Sequence, residues 1–193
     1  TGLPIGTYTV IVTDANGCDT MTSVVIIEPP LLTDSISSIV NVSCNGLCDG
    51  QATVAVSGGT PPYIYLWMDS IFNPLSPPQT DSTATGLCSG LYNVDITDSN
   101  SCVNTTGVII TDPTPLITSI TGNDAACGGV CDGDATIFSS GGALPYTYLW
   151  NDPNSQITPT ATGLCAATFI VTVTDANGCS VPDTVTISEP PVL

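Results

Sequence analysis

Nine cysteines and seventeen carboxylates are the chemically active side chains of this 193-residue chain, and no Lys, Arg or His accompanies them. Thiols without imidazole partners do not form mixed Cys/His zinc sites. Thiols without cationic neighbours are not activated for redox or nucleophilic work, so Cys44 and Cys48 make a poor C-x3-C redox pair. Their expected use is as disulfides in an oxidising, extracellular setting. The missing residues are also the usual general base, Schiff-base amine and phosphate fork, so the chain reads as no enzyme and offers no catalytic residue. A formal charge of −17 excludes the electrostatic drive of nucleic-acid binding and disfavours anionic membranes. No run of eighteen apolar residues is present to span a bilayer.

The cysteines recur in a pattern, and the pattern names the elements that must hold them. TGLPIGTYTVIVTDANGC begins at Thr1, TGLCSGLYNVDITDSNSC at Thr85 and TGLCAATFIVTVTDANGC at Thr162. Cys18, Cys102 and Cys179 are spaced by 84 and 77 residues, as are Glu28, Asp112 and Glu189. The chain is a tandem array. Residues 1–29 are the C-terminal part of one repeat, 30–113 and 114–190 are complete repeats, and 191–193 open a further one. The whole is expected to be a window of a longer polymer whose export signal and any anchor lie outside it.

Within each repeat the periodicity is that of strands. Tyr8, Val10 and Val12 alternate with threonine and isoleucine; Tyr92, Val94 and Ile96 repeat the pattern, and Phe169 to Thr174 is its third copy. Asp14-Ala15-Asn16-Gly17, Asp98 to Ser101 and the copy from Asp175 are turn chemistry, and Pro29-Pro30 stops a strand. Leu32 to Val42, Ala52 to Val56 and Tyr63 to Trp67 are further strands, with copies at Leu116 to Ile120, Ala135 to Ser139 and Tyr146 to Trp150. The Tyr63, Tyr65 and Trp67 face reads as core rather than a sugar-stacking platform. Asp69 to Thr83 is irregular and Pro-rich. Six residues vanish from its copy, between Trp150 and Cys165, which marks a surface loop. Six or seven strands per unit, with no helix, predict an all-β fold of tandem immunoglobulin-like or PKD-like antiparallel β-sandwich repeats, stapled by disulfides.

NVSCNGLCDGQATVAVSGGTPPYIYLW, followed by TGLCSGLYNVDITDSNSC, resembles the SprB repeat of Bacteroidota cell-surface adhesins. The likeness runs over both complete units and the tail. It implies very long exported proteins, many on gliding bacteria and usually sent out by type IX secretion, with an adhesive or structural role. The second cysteine of CNGLCDG and the cysteine of TGLC are additions to the commoner pattern.

Each complete unit holds four cysteines: Cys44, Cys48, Cys88 and Cys102, then Cys127, Cys131, Cys165 and Cys179. The tail keeps Cys18 but has Pro4 in place of the Cys88 type, so a bond between Cys88 and Cys102 is disfavoured and Cys18 is expected to find its partner outside the chain. Sandwich topology brings Cys48 to Cys88 and Cys131 to Cys165, each bond contributing about 4 kcal/mol. The default for the others is Cys44 with Cys102 and Cys127 with Cys179. Yet the turn before Cys102 belongs at the opposite end of the sandwich, roughly 25 Å along an eight-residue strand. Either the Cys44 loop climbs the sheet edge, or Cys44 reaches the next unit and meets Cys179.

Asp14, Asn16 and Glu28, with the copies Asp98, Asn100 and Asp112 and Asp175, Asn177 and Glu189, have the oxygen ligands of a calcium site at a domain joint; the competing role is hydrogen bonding within their own turns. No other cofactor is expected. Thr20, Ser35, Ser70, Ser82 and Thr184 follow Asp and precede an apolar residue or Thr, as in a Bacteroidota O-glycosylation signal, and Asn41 and Asn104 stand in N-x-S/T sequons. The expected function is a structural repeat segment of a long extracellular adhesin or surface filament, setting reach and rigidity. Its partners are neighbouring repeats and identical chains. The alternative is a module that binds a glycan or surface through the variable loop 69–83. Without Lys, the units cannot form Lys–Asn isopeptide staples, and trypsin-type proteases find no site.

Overall fold

The structure is a computed structural model that describes residues 2–191; Val192 and Leu193, which belong to the segment expected to open a further repeat, lie outside the described residues. Among the described residues every regular element is a strand, and no helix is long and apolar enough to cross a membrane. A hairpin of β1 (Gly6–Thr13) and β2 (Asp19–Ile26) comes first. Two six-stranded units follow. The first holds β3 (Thr33–Val40), β4 (Gly50–Ser57), β5 (Ile64–Met68), β6 (Thr83–Leu87), β7 (Gly90–Thr97) and β8 (Val103–Ile110). The second holds β9 (Ile117–Asn123), β10 (Gly133–Ser140), β11 (Thr147–Trp150), β12 (Thr160–Leu164), β13 (Ala167–Thr174) and β14 (Ser180–Ile187).

Each unit is a pair of three-stranded antiparallel sheets, β3-β4-β6 facing β5-β7-β8 and β9-β10-β12 facing β11-β13-β14. With strands lettered in the immunoglobulin manner, these are the A-B-E and C-F-G sheets, so the fold is an immunoglobulin-like sandwich. Alternation explains the layers: Ala52 and Val54 on β4, and Val94 and Ile96 on β7, point inward and are buried, while the residues between them are more open. Each unit has its own core, one centred on Trp67 and one on Trp150.

Both tryptophans are fully buried, and their indole N–H groups donate to the carbonyls of Asp81 (2.9 Å) and Thr158 (2.9 Å). A polar N–H is thereby satisfied inside the core. These bonds also locate the length difference between the units. Asp69 and Asp152 cap corresponding turns 83 residues apart, whereas Gln79 and Gln156 are 77 apart and both clamp the following threonine, Gln79 to Thr85 and Gln156 to Thr162. The six extra residues of the first unit therefore lie between Asp69 and Gln79.

Candidate functional site: the joint between successive units

At the lower end of the first unit, the loop joining β3 to β4 carries Cys44 and Cys48. Its turn closes with Leu47 N–H on the Cys44 carbonyl (3.0 Å). Asp49 anchors it, accepting from the Ser43 amide (2.9 Å) and the Ser43 hydroxyl. Those bonds, the hydroxyl first, hold Asp49 below the usual carboxylate range. The loop is also tied to the linker that follows the unit. Gly46 N–H and the Ser89 hydroxyl donate to Asp112 (3.2 and 2.6 Å), and the Asn45 amide donates to the Pro113 carbonyl (3.3 Å). With no cation in the chain, amides and hydroxyls do the work of satisfying carboxylates.

The second unit builds the same end with different residues. Ala126 N–H donates to Asp132 (2.9 Å), Val130 N–H to the Cys127 carbonyl (3.2 Å), and Gly129 N–H to the Glu189 carboxylate (2.8 Å). Cys127 is presented as Cys44 is.

The upper end is organised by the aspartate turn. Asp98 is buried; one oxygen accepts from the amides of Asn100 and Cys102 (2.9 Å each), the other from Thr60 N–H (2.9 Å). Asp175 does the same with Asn177, Cys179 and Ala143 (2.9 Å each). The Cys102 amide first, with Thr60 and Asn100, lowers the Asp98 pKa against the opposing effect of burial; for Asp175 the Ala143 amide leads. The Gly-Gly corner packs here because the linker into the unit runs against it. Gly58 and Gly141 have positive φ, and a Cβ at either would overlap the carbonyl of Leu31 or Pro115. Gly59 N–H then donates to the Pro30 carbonyl (2.8 Å) and Gly142 N–H to that of Thr114 (3.0 Å).

The lower end of the first unit meets the upper end of the second. Cys44 is bonded to Cys179, with Cα atoms 5.6 Å apart and 135 residues between them in sequence. The Asn177 amide reinforces the contact by donating to the Ser43 carbonyl (3.1 Å). A groove of about 500 Å³ beside the bond is lined by Cys44, Asn45, Leu47, Pro115, Leu116 and the Cys179 turn. The expected pairing of Cys44 with Cys102, and of Cys127 with Cys179, is thus replaced. The reason is the length of the strands: Cys102 sits at the upper end of the same unit, and the loop does not climb the sheet. Cys18, Cys102 and Cys127 carry free, exposed thiols.

The other two bonds lie within units, Cys48 to Cys88 and Cys131 to Cys165. Antiparallel pairing of β4 with β6 sets Gly50 opposite Leu87, and that of β10 with β12 sets Gly133 opposite Leu164, which brings the flanking cysteines together.

Asp14, Asp98 and Asp175 each turn one oxygen to two amides of their own turn, Asp14 to those of Asn16 and Cys18 (2.8 Å each), and the second oxygens of Asp98 and Asp175 accept from the corner amides of Thr60 and Ala143. Asp112 and Glu189 face the loops below them, and Glu28 lies across a groove from the Asp98 turn. Among the described residues no three His, Cys, Asp or Glu side chains converge as a metal site would require. Thr20, Ser35, Ser70 and Thr184 are exposed and Ser82 is half-buried. Asn41 is exposed and accepts from Thr111 N–H (3.0 Å), while Asn104 is half-buried and donates to Asp34. Asn45, Ser89 and the Gln79 clamp were not singled out from the sequence. The equal 77-residue spacing of the glutamines and of Cys88 and Cys165 was the signal that could have found the clamp.

Two segments of the chain, residues 36–70 and 119–155, match the SprB repeat family. No curated protein matches the chain. Among solved structures it is similar to the N-terminal eight Ig domains of Down Syndrome Cell Adhesion Molecule, at 11% identity and TM-score 0.45 over 96% of this chain and 28% of that one. It is also similar to the amphioxus IgVJ-C2 molecule, at 14% identity and TM-score 0.30 over 67% and 90%. The fibronectin(III)-like modules of Clostridium thermocellum CbhA match at 13% identity and TM-score 0.34 over 81% and 95%.

Proposed function

From a chain that carries two SprB repeats, we propose a structural segment of a long extracellular adhesin or surface filament, in which stapled sandwiches set reach and orientation. The Cys44–Cys179 bond is the observation that carries this reading. A single linker leaves two small domains free to swing. A second covalent connection, placed beside a linker already held by Asp112, restricts that motion. Uniform negative charge keeps neighbouring segments apart at low salt. Export by a type IX route and display on a gliding cell fit the same role, and nothing in the site calls for catalysis.

Distances between spin labels on the two units test the rod. A narrow distribution in the oxidised chain that broadens in the Cys44→Ser/Cys179→Ser variant supports it, and equal breadth in both would sink it.

A second reading has one observation in its favour. The long loop of the first unit closes an open groove of about 740 Å³ against Tyr63 and Tyr65, with Gln79, Asp81, Ser82 and Thr83 along its wall. Aromatic faces beside hydroxyls and a carboxylate suit a glycan. Replacing residues 70–83 with their shorter counterpart 153–160, which removes Asp81 and Ser82 from the groove wall, should abolish glycan-array binding if the groove is a site, and should change nothing if the loop is only scaffold.

A further inference from the structure

The joint has two open halves elsewhere in the chain. Cys102 stands in the first unit where Cys179 stands in the second, and Cys127 stands in the second where Cys44 stands in the first; both are free and exposed. Their surroundings are already those of the closed joint. Asp98 fixes Cys102 with the same amide bonds with which Asp175 fixes Cys179. Gly129 and Glu189 hold the Cys127 loop as Gly46 and Asp112 hold the Cys44 loop.

The grooves agree as well. Beside Cys102 lies one of about 440 Å³, lined by Leu31, Leu32, Cys102, Val103 and Asn104. Pro115, Leu116, Cys179, Ser180 and Val181 hold the matching positions in the closed joint, where Cys44, Asn45 and Leu47 supply the opposite wall. The groove beside Cys102 thus has the turn side of the joint without the incoming loop. Asn177 donates across the joint to Ser43, while Asn100 donates to Thr60 Oγ1 (2.9 Å), a hydroxyl in whose place the second unit has Ala143.

We infer that Cys102 and Cys127 each bond a further unit of this repeat in the same polypeptide, so that one disulfide from loop to turn closes every joint of the array. Cys102 takes the first loop cysteine of the unit to which β1 and β2 belong, and Cys127 takes the turn cysteine of a unit beyond β14. The hairpin argues for the first of these occupants. Val10 and Val12 are more than half exposed, although Val94 and Ile96 at the same register are fully buried, so a sandwich core is missing from one face of β1. Linkage is directional, loop below to turn above, and a directional contact propagates as an open line of units. The bond forms by thiol–disulfide exchange with an oxidoreductase disulfide. One cysteine thiolate attacks it to give a mixed disulfide, the second cysteine displaces the enzyme sulfur, and the enzyme leaves with two thiols.

This deepens the rod reading and is tested apart from it. The full-length protein is isolated from its source with thiols blocked by an alkylating reagent, cleaved at acidic residues because trypsin has no site here, and mapped without reduction. The expected result is that Cys102 and Cys127 escape alkylation. The Cys102 peptide is then linked to a C-x-G-x-x-D-G loop peptide, whose second cysteine is not required because Pro4 replaces its partner in that unit, and the Cys127 peptide to a D-x-N-x-C turn peptide, while the protein runs as a single chain without reductant. Alkylated Cys102 and Cys127, bonds to any other kind of cysteine, or a ladder of chains that reductant collapses would each overturn it. Free thiols beside a stiff Cys44–Cys179 joint would leave the rod standing; a loose joint with every turn cysteine bonded would do the reverse.

Discussion

The hairpin β1–β2 and the hairpin β7–β8 are made from nearly the same local chemistry and have different fates. Their registers coincide, Gly6 opposite Ile26 through Thr13 opposite Asp19, and Gly90 opposite Ile110 through Thr97 opposite Val103. Their turns close on the same aspartate bonds. Yet β7 buries Val94 and Ile96 completely, and β1 leaves Val10 and Val12 open. A hairpin of this repeat is therefore specified locally, while its burial is a property of the four strands that must pack on it.

The largest expected break in the comparison is at the staple, which the hairpin lacks because Pro4 stands where β7 is preceded by Cys88. Replacing Cys48 and Cys88 by serine should lower the stability of the first unit by about 4 kcal/mol in the chain-entropy account. Urea unfolding followed by Trp67 fluorescence in a Trp150→Phe background reads that unit alone, because the chain has two tryptophans.

Val94→Ala should cost about 2 kcal/mol by the same assay, from lost transfer energy and a residual cavity. Val10→Ala, read by hydrogen exchange of the β1 and β2 amides, should change their protection by no more than about 0.5 kcal/mol, as exposed substitutions do. Equal effects would mean that the hairpin is not the exposed counterpart the structure shows.

The third contrast is in pH. Asp98 has a folded pKa below its unfolded value, about 3.9. Its contribution is complete above that unfolded value and is lost as pH falls through the lowered folded one. The urea midpoint of the first unit should accordingly be flat from neutral pH to about 5 and decline below about 4. Asp98→Asn should lower the midpoint at pH 7 and flatten the decline, since Asn puts an NH2 where one carboxylate oxygen was. Asp14→Asn, whose turn lacks the third bond that Thr60 gives Asp98, should change the hydrogen-exchange protection of the β1–β2 hairpin less than Asp98→Asn changes that of β7–β8.

The smallest effect expected is that of a chelator. The turn carboxylates already accept amide hydrogens, so EDTA should shift the melting temperature by less than about 1 °C; a drop of several degrees would reveal a bound cation linked to folding.

The sequence by itself determined the features whose physics is short-range. Alternation of Val and Thr places strands, Asp-x-Asn at a turn supplies acceptors for amides two and four residues on, and Pro after Glu28 or Asp112 ends a strand. The internal offsets showed where a loop varies. Strand limits moved by a few residues: Leu32 to Val42 is β3 over Thr33–Val40, and Leu116 to Ile120 is β9 over Ile117–Asn123. Pairing across the backbone ladder, rather than hydrophobic pattern, ends those strands.

The joint was decided only by tertiary structure. Cys44 faces two chemically equivalent turn cysteines, Cys102 at the far end of its own unit and Cys179 at the near end of the next. Spacing along the chain favours the first, and distance in space selects the second. The linker between the two units is held at both ends, by the bonds of Gly46 and Ser89 to Asp112 and of Gly142 to Thr114. Those contacts join residues from 23 to 66 positions apart, beyond the reach of any periodicity in the sequence.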